Sequence, residues 1–417
     1  MFPIATSSAV ALAATAFCLA SAEAQGTAPP RPIVITHASL IDGERGAFAT
    51  NATVVIRDGR IAEIGGSSLA IPTEATVIDA RGRYLLPGLI DAHTHIASLA
   101  NARRALESGV TTVRSASVPA YQDVALREAV RQGVVAGPDV VAAGVFVSPE
   151  LGETILADAR LAKLAGGVTT EAALREVVRI NLDHGVDVIK TRGTERAGLA
   201  NTDPRKQTYT ETQLSWIVDE AGKRNIPVMA HAHGDEGAYA AVRAGVKSIE
   251  HGTFLSDSTL QLMKAKGTFL VPTYVTVFDL TQPGGDYDEP ALTIRGNVML
   301  PVLGETVRRA HRMGVRIATG GDTQYGPESL SRIAGEAAFF VELGMSPLEA
   351  LRSATTVAAD LLGLGSRIGA LKIGYEADLI LVEANPLQNI RALADVLVVI
   401  SNGRLALNRT PFAKSGI

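Results

Sequence analysis

Short β-branched hydrophobic runs separated by polar turns occupy both ends of the chain, a pattern that predicts β-strands. The N-terminal runs are Ile33–Thr36, Ala52–Arg57, Arg60–Ile64 and Ala75–Asp79, and Asp58-Gly59 predicts a tight hairpin between the second and third. Similar runs follow at Ala377–Val382 and Val396–Leu405, the latter with a turn at Asn402-Gly403. Because the N-terminal strands are too few to form a stable unit alone, we expect a small composite β-sandwich domain formed from residues 30–87 and 362–410.

The middle of the chain alternates strand-like runs with helical patterns. Thr210-Glu-Thr-Gln213 has the sequence of a capping box, and apolar residues follow it at helical spacing until a strand pattern returns at Ile226–Ala230. Ser346-Pro-Leu-Glu349 is a second capping box, with proline at the first helical position. Eight strands are predicted, near Leu89, Thr112, Val141, Val188, Val228, Ile249, Leu270 and Ile317. This alternation predicts an α/β fold with a (β/α)₈ TIM-type barrel over residues 88–361.

Residues that can bind metal occur repeatedly at the ends of these predicted strands, where a barrel of this kind carries its catalytic groups. His93 and His95 end the first strand, and their two-residue spacing places both imidazoles on one face. Later strands end in Lys190, His231, His233, His251 and Asp322. Five of the eight histidines therefore lie at predicted strand ends. This distribution favours a metal site over unrelated structural histidines.

Composition limits the classes of partner. The chain has 417 residues, of which 47% are hydrophobic and 20% charged, so it can bury a large core and is not of disordered composition. The formal net charge is −4 and no basic runs occur, which argues against nucleic acid as a partner. We expect a small-molecule substrate instead.

The first residues have the pattern of an export signal. An apolar stretch from Ala9 to Ala20 precedes Ala22-Glu23-Ala24, a small-x-small cleavage pattern, although no Lys or Arg precedes the apolar stretch. The stretch is too short and alanine-rich for a membrane span. We therefore expect residues 1–24 to be a signal peptide, the mature protein to be periplasmic or secreted, and cleavage to remove Cys18, the one cysteine of the chain.

The motifs together resemble those of the metal-dependent amidohydrolase superfamily. The resemblance covers nearly the whole mature chain and rests on Pro87–His95, Ala230–Gly234, Ile249–Gly252 and Ile373–Leu379. It is closest to the branch that includes imidazolonepropionase-like proteins, Xaa-Pro and Xaa-Arg dipeptidases and ochratoxin-type amidases. Like the alternation of strands and helices, the resemblance implies a barrel enzyme.

The resemblance also implies a two-metal site. It places His93, His95 and Asp322 on one divalent ion and His231 and His251 on a second, with Lys190 as the bridging ligand. An ammonium has no lone pair, and the resemblance implies that Lys190 reacts with CO₂ to form a carbamate, which has two oxygen donors; an unmodified buried or salt-bridged lysine is the alternative. Zinc is the expected metal, although Mn, Co or Ni suit the same ligands.

A hydroxide shared by the two ions would be the nucleophile. Asp322 would act as general base and then general acid. His233 shares the face of His231 and is expected to stabilise the oxyanion, orient substrate or hydrogen-bond to a ligand.

The sequence indicates the substrate-binding residues less specifically than it indicates the metal ligands. Arg192 follows Lys190 by two residues and is a candidate for binding a substrate carboxylate, at a point where relatives carry apolar or small residues. Tyr121 and Tyr274 follow predicted strands and are further candidates. The segment Phe278–Pro290 is long enough to form a lid.

We therefore expect a binuclear hydrolase that cleaves a C–N amide or peptide bond in a dipeptide or N-acyl amino acid, including aromatic or ochratoxin-like conjugates. A cyclic-amide hydrolase or deaminase, and a lactone or organophosphate hydrolase, could use the same site. A non-catalytic metal-binding homologue is the alternative from another class. A homo-oligomer is the expected assembly.

Overall fold

The computed structural model describes residues 31–284, 287–329 and 331–412. The predicted signal peptide and Cys18 lie outside the described residues. Five strands precede the barrel region: β1 Ile33–Asp42, β2 Gly46–Arg57, β3 Arg60–Gly65, β4 Thr76–Asp79 and β5 Tyr84–Pro87. Three strands follow it: β13 Leu379–Val382, β14 Val396–Ser401 and β15 Arg404–Asn408.

The strands from both ends of the chain form one hydrogen-bonded sheet of eight strands. Its order is β15-β14-β13-β5-β1-β2-β3, with β4 paired to β1. The antiparallel pairing of β5 with β13, in which Leu85 faces Leu381, joins the two terminal segments. Both predicted turns are present, because Asp58-Gly59 links β2 to β3 and Asn402-Gly403 links β14 to β15. The sheet has its own buried cluster, which includes Ile35, Leu40, Leu379 and Ile400.

Seven further strands lie between these segments and pair in parallel. They are β6 Leu89–Thr94, β7 Val110–Ser115, β8 Asp139–Val141, β9 Ile189–Arg192, β10 Val228–Ala232, β11 Ser248–His251 and β12 Phe269–Val271. They form one sheet of three strands, β6-β7-β8, and one of four, β12-β11-β10-β9. Seven of the eight predicted strand positions thus lie in or next to strands of the described chain.

In place of the eighth predicted strand, near Ile317, the structure has only isolated bridges to β12 and β6 among the described residues. Ile317 forms an isolated parallel bridge with Leu270 of β12, and Thr323 forms one with Thr94 of β6. The Ala92 N–H also donates to the Thr319 carbonyl at 3.0 Å. At the other junction, the Val147 N–H donates to the Lys190 carbonyl at 2.9 Å. Backbone hydrogen bonds therefore link the two parallel sheets on both sides.

Helices alternate with the parallel strands. They are α1 Leu99–Glu107, α2 Gln122–Arg131, α3 Ala159–Ala162, α4 Glu171–Asp183, α5 Glu211–Gly222, α6 Asp235–Ala244, α7 Asp257–Lys266, α8 Tyr274–Asp279, α9 Pro290–Met313, α10 Ile333–Glu342, α11 Pro347–Ser353 and α12 Thr356–Leu361. Short 3₁₀ helices cover Gly152–Leu156, Ile390–Ala394 and Thr410–Phe412. Both predicted capping boxes are confirmed, at the start of α5 and of α11. None of the helices among these residues is both long and apolar enough to span a bilayer.

Gly88 connects the terminal sheet to the parallel strands. It separates β5 from β6, and its N–H donates to the Asp378 carbonyl at 2.8 Å. A Cβ at this position would lie 2.1 Å from Thr111 Oγ1, closer than real Cβ contacts allow. Glycine is therefore required for β6 to leave the sheet so near to β7. This connection places His93, five residues later, at the end of β6.

Candidate metal and active site

A single cavity of about 590 Å³ gathers the predicted metal ligands. It lies at the C-terminal ends of the parallel strands. His93, His95, Lys190, His231, His233, His251 and Asp322 all line it. The side chains of five different chain segments thus converge, although their positions in the sequence span more than half of the chain. The sequence prediction that these residues share one site agrees with this arrangement.

The first group in the cavity contains three imidazoles and a carboxylate. Asp322 Oδ1 lies 3.1 Å from His95 Nε2 and 3.4 Å from His93 Nε2. Ligand atoms of His93, His251 and Asp322 all lie within 4.8 Å of one another. The spacing of these atoms is suitable for sharing one cation.

The second group is a cluster of three imidazoles. Ligand atoms of His231, His233 and His251 lie within 4.8 Å of one another. The ring centroids of His231 and His251 are 4.6 Å apart, and His233 stacks on His251 at the same separation. His251 belongs to both groups, so the two possible cation positions are adjacent. His233 therefore belongs to this cluster, although the sequence predicted for it only a role in stabilising the oxyanion, orienting substrate or hydrogen-bonding to a ligand.

Hydrogen bonds to segments that follow the parallel strands fix one ring nitrogen in each of four histidines. The Nδ1 atom of His95 donates to the Ser117 carbonyl at 2.8 Å, and His251 Nδ1 is 2.7 Å from Thr273 Oγ1. His233 Nδ1 is likewise 2.8 Å from Thr253 Oγ1. His231 is reversed, because its Nε2 donates to the Glu195 carbonyl at 3.0 Å. The free nitrogen is therefore Nε2 in His95, His233 and His251 and Nδ1 in His231.

Two of the ligands occupy left-handed backbone conformations. His251 has φ +72° at the end of β11, and Asp322 has φ +44°. Such conformations are uncommon for residues other than glycine and persist where the surrounding structure imposes them. The Asp322 N–H donates to the His93 carbonyl at 2.6 Å, which holds the turned backbone against β6. The left-handed turn lets the side chain of His251 face the cavity, although the side chain of the preceding Glu250 also points into the interior of the protein.

Lys190 lies at the meeting point of the two groups. Its side chain is buried, and its Nζ atom is 3.4 Å from His93 Nε2. Burial lowers the pKa of Lys190 to about 8, against the opposing effect of the Glu250 and Asp322 carboxylates. The neutral, nucleophilic form of this amine is therefore more populated near neutral pH than it is for an exposed lysine.

The protonation states of the donors suit divalent cations. Burial lowers the pKa of His231 and His251 well below its usual value, so both rings are neutral and have lone pairs available. Burial alone would raise the pKa of Asp322, but His93 and His95 hold it well below its usual range. Neutral imidazoles and an ionised carboxylate in a buried cavity are ligands typical of zinc and related metals. The residues present therefore fit a metal centre.

A buried ion pair next to His93 was missed by sequence reasoning. Glu250 accepts hydrogen bonds from His93 Nδ1 at 2.7 Å and from Arg114 Nη2 at 3.0 Å. Burial raises the pKa of Glu250, but Arg114 and His93 outweigh it and leave the pKa at about 2. The period of two along β11 could have indicated that Ser248 and Glu250 share the inner face. Nothing in the sequence indicated that Arg114 of β7 would meet them.

Of the four predicted substrate-binding residues, His233 lines the cavity, whereas Arg192, Tyr121 and Tyr274 do not. Arg192 lies with Lys190 over the Phe146 ring, but its Nη2 donates to Glu150 at 3.2 Å and so turns outward. Tyr121 stacks on His184 with ring centroids 3.7 Å apart. Tyr274 packs on Phe339. In each case a nearby partner determines the side-chain direction, which strand-end position alone does not encode.

Other residues form the polar part of the cavity wall. Arg196 lines the cavity, is exposed, and has no ion-pair or side-chain hydrogen-bond partner among the described residues. Its charge contributes to the lowered pKa of Lys190 and of His231, so its electrostatic effect reaches the ligands. Tyr287 and Leu280, within the predicted lid segment, also line the cavity. Residues 285–286 of that segment lie outside the described chain.

Known proteins are similar to this chain over most of its length. The sequence profile of the Amidohydrolase family matches residues 84–406. Ochratoxinase from Aspergillus niger is 29% identical over 411 residues, which cover 87% of this chain and 84% of that protein. This relative lies within the branch that the sequence motifs indicated.

Solved structures show the same fold. A Xaa-Pro dipeptidase with methionine bound in its active site is 28% identical, with a TM-score of 0.78 and coverage of 90% of this chain and 99% of that chain. A prolidase complexed with N-methylphosphonate-L-proline is 30% identical, with a TM-score of 0.78 and coverage of 90% and 99%. The fold is therefore a TIM-type barrel with an additional domain, and the chain is a hydrolase acting on C–N bonds. It belongs to the Amidohydrolase family of metal-dependent enzymes.

Proposed function

We propose that the protein is a binuclear metal-dependent hydrolase that cleaves the C–N amide bond of a dipeptide or N-acyl amino acid, including aromatic or ochratoxin-like conjugates. The convergence of six ligand-type residues and His233 in one cavity carries this proposal. The names of the relatives, an ochratoxinase and two dipeptidases, support the amide as the bond that is cleaved. The cavity, at about 590 Å³, has room for such a substrate.

Two ions, zinc by ligand chemistry, would share the ligands as the family resemblance implies. His93, His95 and Asp322 would hold one, His231 and His251 the other, and Lys190 would bridge them as a carbamate. The lone pair of a neutral Lys190 amine would attack CO₂ to form a C–N bond, and the nitrogen would release one proton to solvent, which leaves an anionic carbamate with two oxygen donors. The burial of Lys190 and its pKa of about 8 support this modification.

Bound metal would supply an activated water and polarise the scissile carbonyl. The protein residues provide the proton transfers and the orientation of substrate. Asp322 is ionised, so it can take a proton from the attacking water and deliver it to the departing amide nitrogen as the C–N bond breaks. The pKa of His233 is lowered to about 3 by burial, so this ring is neutral and can hydrogen-bond to the carbonyl oxygen or orient substrate.

We further propose that Arg196, rather than Arg192, binds the free carboxylate of the substrate. Arg196 lines the cavity and its guanidinium has no partner among the described residues, whereas Arg192 is paired with Glu150. A guanidinium can hold a carboxylate through two parallel hydrogen bonds. In such a substrate the free carboxylate belongs to the amino acid that is released as the amine. Binding of this carboxylate by Arg196 would place the amide bond near the ligands.

The finer structural and cellular assignments belong to the same proposal. The backbone bonds that link the two parallel sheets support a closed (β/α)₈ barrel, and the buried cluster of the terminal sheet supports a β-sandwich domain. The export-signal pattern of residues 1–24 supports a periplasmic or secreted protein. The homo-oligomeric state stays a prediction, which sedimentation velocity of the mature chain can check.

A substrate panel tests the function. The metal-loaded protein is assayed with an N-acyl amino acid, the same compound capped as a C-terminal amide, an ester, a lactone, a cyclic amide and a phosphotriester. We expect hydrolysis of the uncapped amide to be preferred. Arg196→Gln should lower kcat/KM for that substrate by roughly tenfold or more, mainly through KM, and change the capped substrate little. Arg205→Gln, which alters an exposed arginine paired with Asp203 on the same loop, is the matched control.

Other outcomes separate the alternatives. Preference for the lactone or phosphotriester would replace the amide by those substrates, and preference for the cyclic amide would favour a cyclic-amide hydrolase. Failure to convert any compound at full metal loading would favour a non-catalytic homologue. Equal losses with capped and uncapped substrate in Arg196→Gln would overturn only the role of Arg196.

A further inference from the structure

Glu250 is a fully buried carboxylate beside the cavity, and the proposed reaction gives it no role. Its side chain is 0% exposed and receives three hydrogen bonds. The donors are His93 Nδ1 at 2.7 Å, Arg114 Nη2 at 3.0 Å and Ser248 Oγ at 2.5 Å. It does not line the cavity, and His93 is the only cavity residue, among those described, to which its side chain hydrogen-bonds.

The carboxylate is held in a fixed position by its other partners. Arg114 donates through Nε to the Ala92 carbonyl at 2.7 Å and through Nη1 to Ser248 Oγ at 3.1 Å, in addition to its bond with Glu250. These partners lie on β6, β7 and β11, so the ion pair crosses the interior between three strands. A buried ion pair with this many hydrogen bonds has little freedom to reorient.

Glu250 differs in charge from the partners of the other histidines in the cavity. His95 and His231 bond to backbone carbonyls, and His233 and His251 bond to threonine hydroxyls. His93 and His95 both approach the Asp322 carboxylate through Nε2, but among these five rings only His93 also bonds to a carboxylate through its other nitrogen. An ionised carboxylate can only accept, so His93 must donate its Nδ1 proton and keep its lone pair on Nε2. That Nε2 atom is the one near Asp322 and Lys190.

We infer that Glu250, anchored by Arg114 and Ser248, is a positioning residue that fixes the tautomer and direction of His93 and strengthens the metal site formed by His93, His95 and Asp322. A negative charge behind an imidazole makes its free nitrogen a better donor to a cation. The inference rests on the proposed function only in requiring that the site bind metal. It requires no particular substrate.

The test measures metal affinity rather than turnover. Chelator-treated wild-type protein, Glu250→Gln and Glu336→Gln are titrated with Zn²⁺ in competition with a chromophoric chelator. We expect Glu250→Gln to weaken Zn²⁺ binding at one of the two sites by ~10–100-fold, the usual effect of losing such a partner. Glu336 is also a fully buried carboxylate, but it accepts from the backbone N–H groups of Tyr274 and Val275 and not from a site histidine. Its variant should bind Zn²⁺ within about threefold of wild type.

A double variant covers the possibility of misfolding. Glu250→Gln leaves Arg114 buried without its counter-charge, so Arg114→Gln/Glu250→Gln removes both charges together. The double variant should fold and still bind Zn²⁺ weakly. Wild-type affinity in either variant that folds, or equal weakening in Glu336→Gln, would overturn the role of Glu250 and leave the proposed function standing. Absence of Zn²⁺ binding by wild-type protein would instead refute the proposed function.

Discussion

Individual side chains of the cavity are constrained mainly by partners in the segments that follow neighbouring strands. His95 donates to the Ser117 carbonyl and His251 bonds to Thr273, so each ring presents Nε2 to the centre of the cavity. No carboxylate of the described residues lies within ion-pair distance of Lys190, and burial lowers its pKa to about 8. Burying a charged amine without a counter-charge costs free energy, so this position favours a neutral or chemically modified lysine.

This cost leads to a prediction for Lys190. Lys190→Ala should lower kcat by at least ~100-fold, because it removes the group proposed to bridge the metals. This loss exceeds the one expected for removal of a residue that only hydrogen-bonds to a metal ligand. Millimolar formate, acetate or propionate should restore part of the activity by placing a carboxylate in the space that the side chain leaves. The measurement is the rate of amide hydrolysis with and without each acid. Undiminished activity in the variant would rule out an essential carbamate.

At the scale of elements, the strands bring the ligands to one end and short irregular segments complete the site. The sequence predicted that strands near Leu89, Val228 and Ile249 end in histidines, because alternation and apolar runs are local signals. It did not predict that the segment at Ile317 would pair only through isolated bridges. It also did not predict the left-handed backbone at His251 and Asp322, which tertiary contacts impose on residues that do not favour it.

The segment that carries Asp322 packs too closely for a side chain at Gly320. A Cβ there would lie 2.5 Å from Val271 Cγ1 and 2.8 Å from His93 Cβ. Gly320→Ala should therefore lower the free energy of unfolding by ~1–3 kcal/mol, the range for an overpacked interior. It should also weaken metal binding, because His93 and Asp322 must separate. Urea denaturation and Zn²⁺ titration measure these two effects.

Gly222→Ala is the matched control for that substitution. Gly222 is the last residue of α5, and a Cβ there would meet nothing within 4 Å. The change should be neutral or stabilise the protein by up to about 1 kcal/mol, because alanine restricts the unfolded chain. An unchanged free energy of unfolding in Gly320→Ala would contradict the close packing proposed for residues 317–323.

At the scale of the whole molecule, the two ends of the chain meet in one sheet that adjoins the strands carrying the site. The pairing of β5 with β13 brings together residues almost 300 positions apart, and Gly88 leads from that sheet directly to β6 and His93. The composite sheet, and the convergence of the candidate ligands on one cavity, could be predicted from sequence because each had a repeated local pattern. The directions of Arg192, Tyr121 and Tyr274 could not, because Glu150, His184 and Phe339 are distant in sequence or on other elements.

The most direct test of the whole account is the dependence of amide hydrolysis on metal content. Chelator-treated protein is titrated with Zn²⁺ while hydrolysis of an N-acyl amino acid and bound metal are measured together. The account predicts no hydrolysis without metal and a rise to a plateau at ~2 ions per chain, as expected for a two-metal site. Full activity in metal-free protein would contradict it.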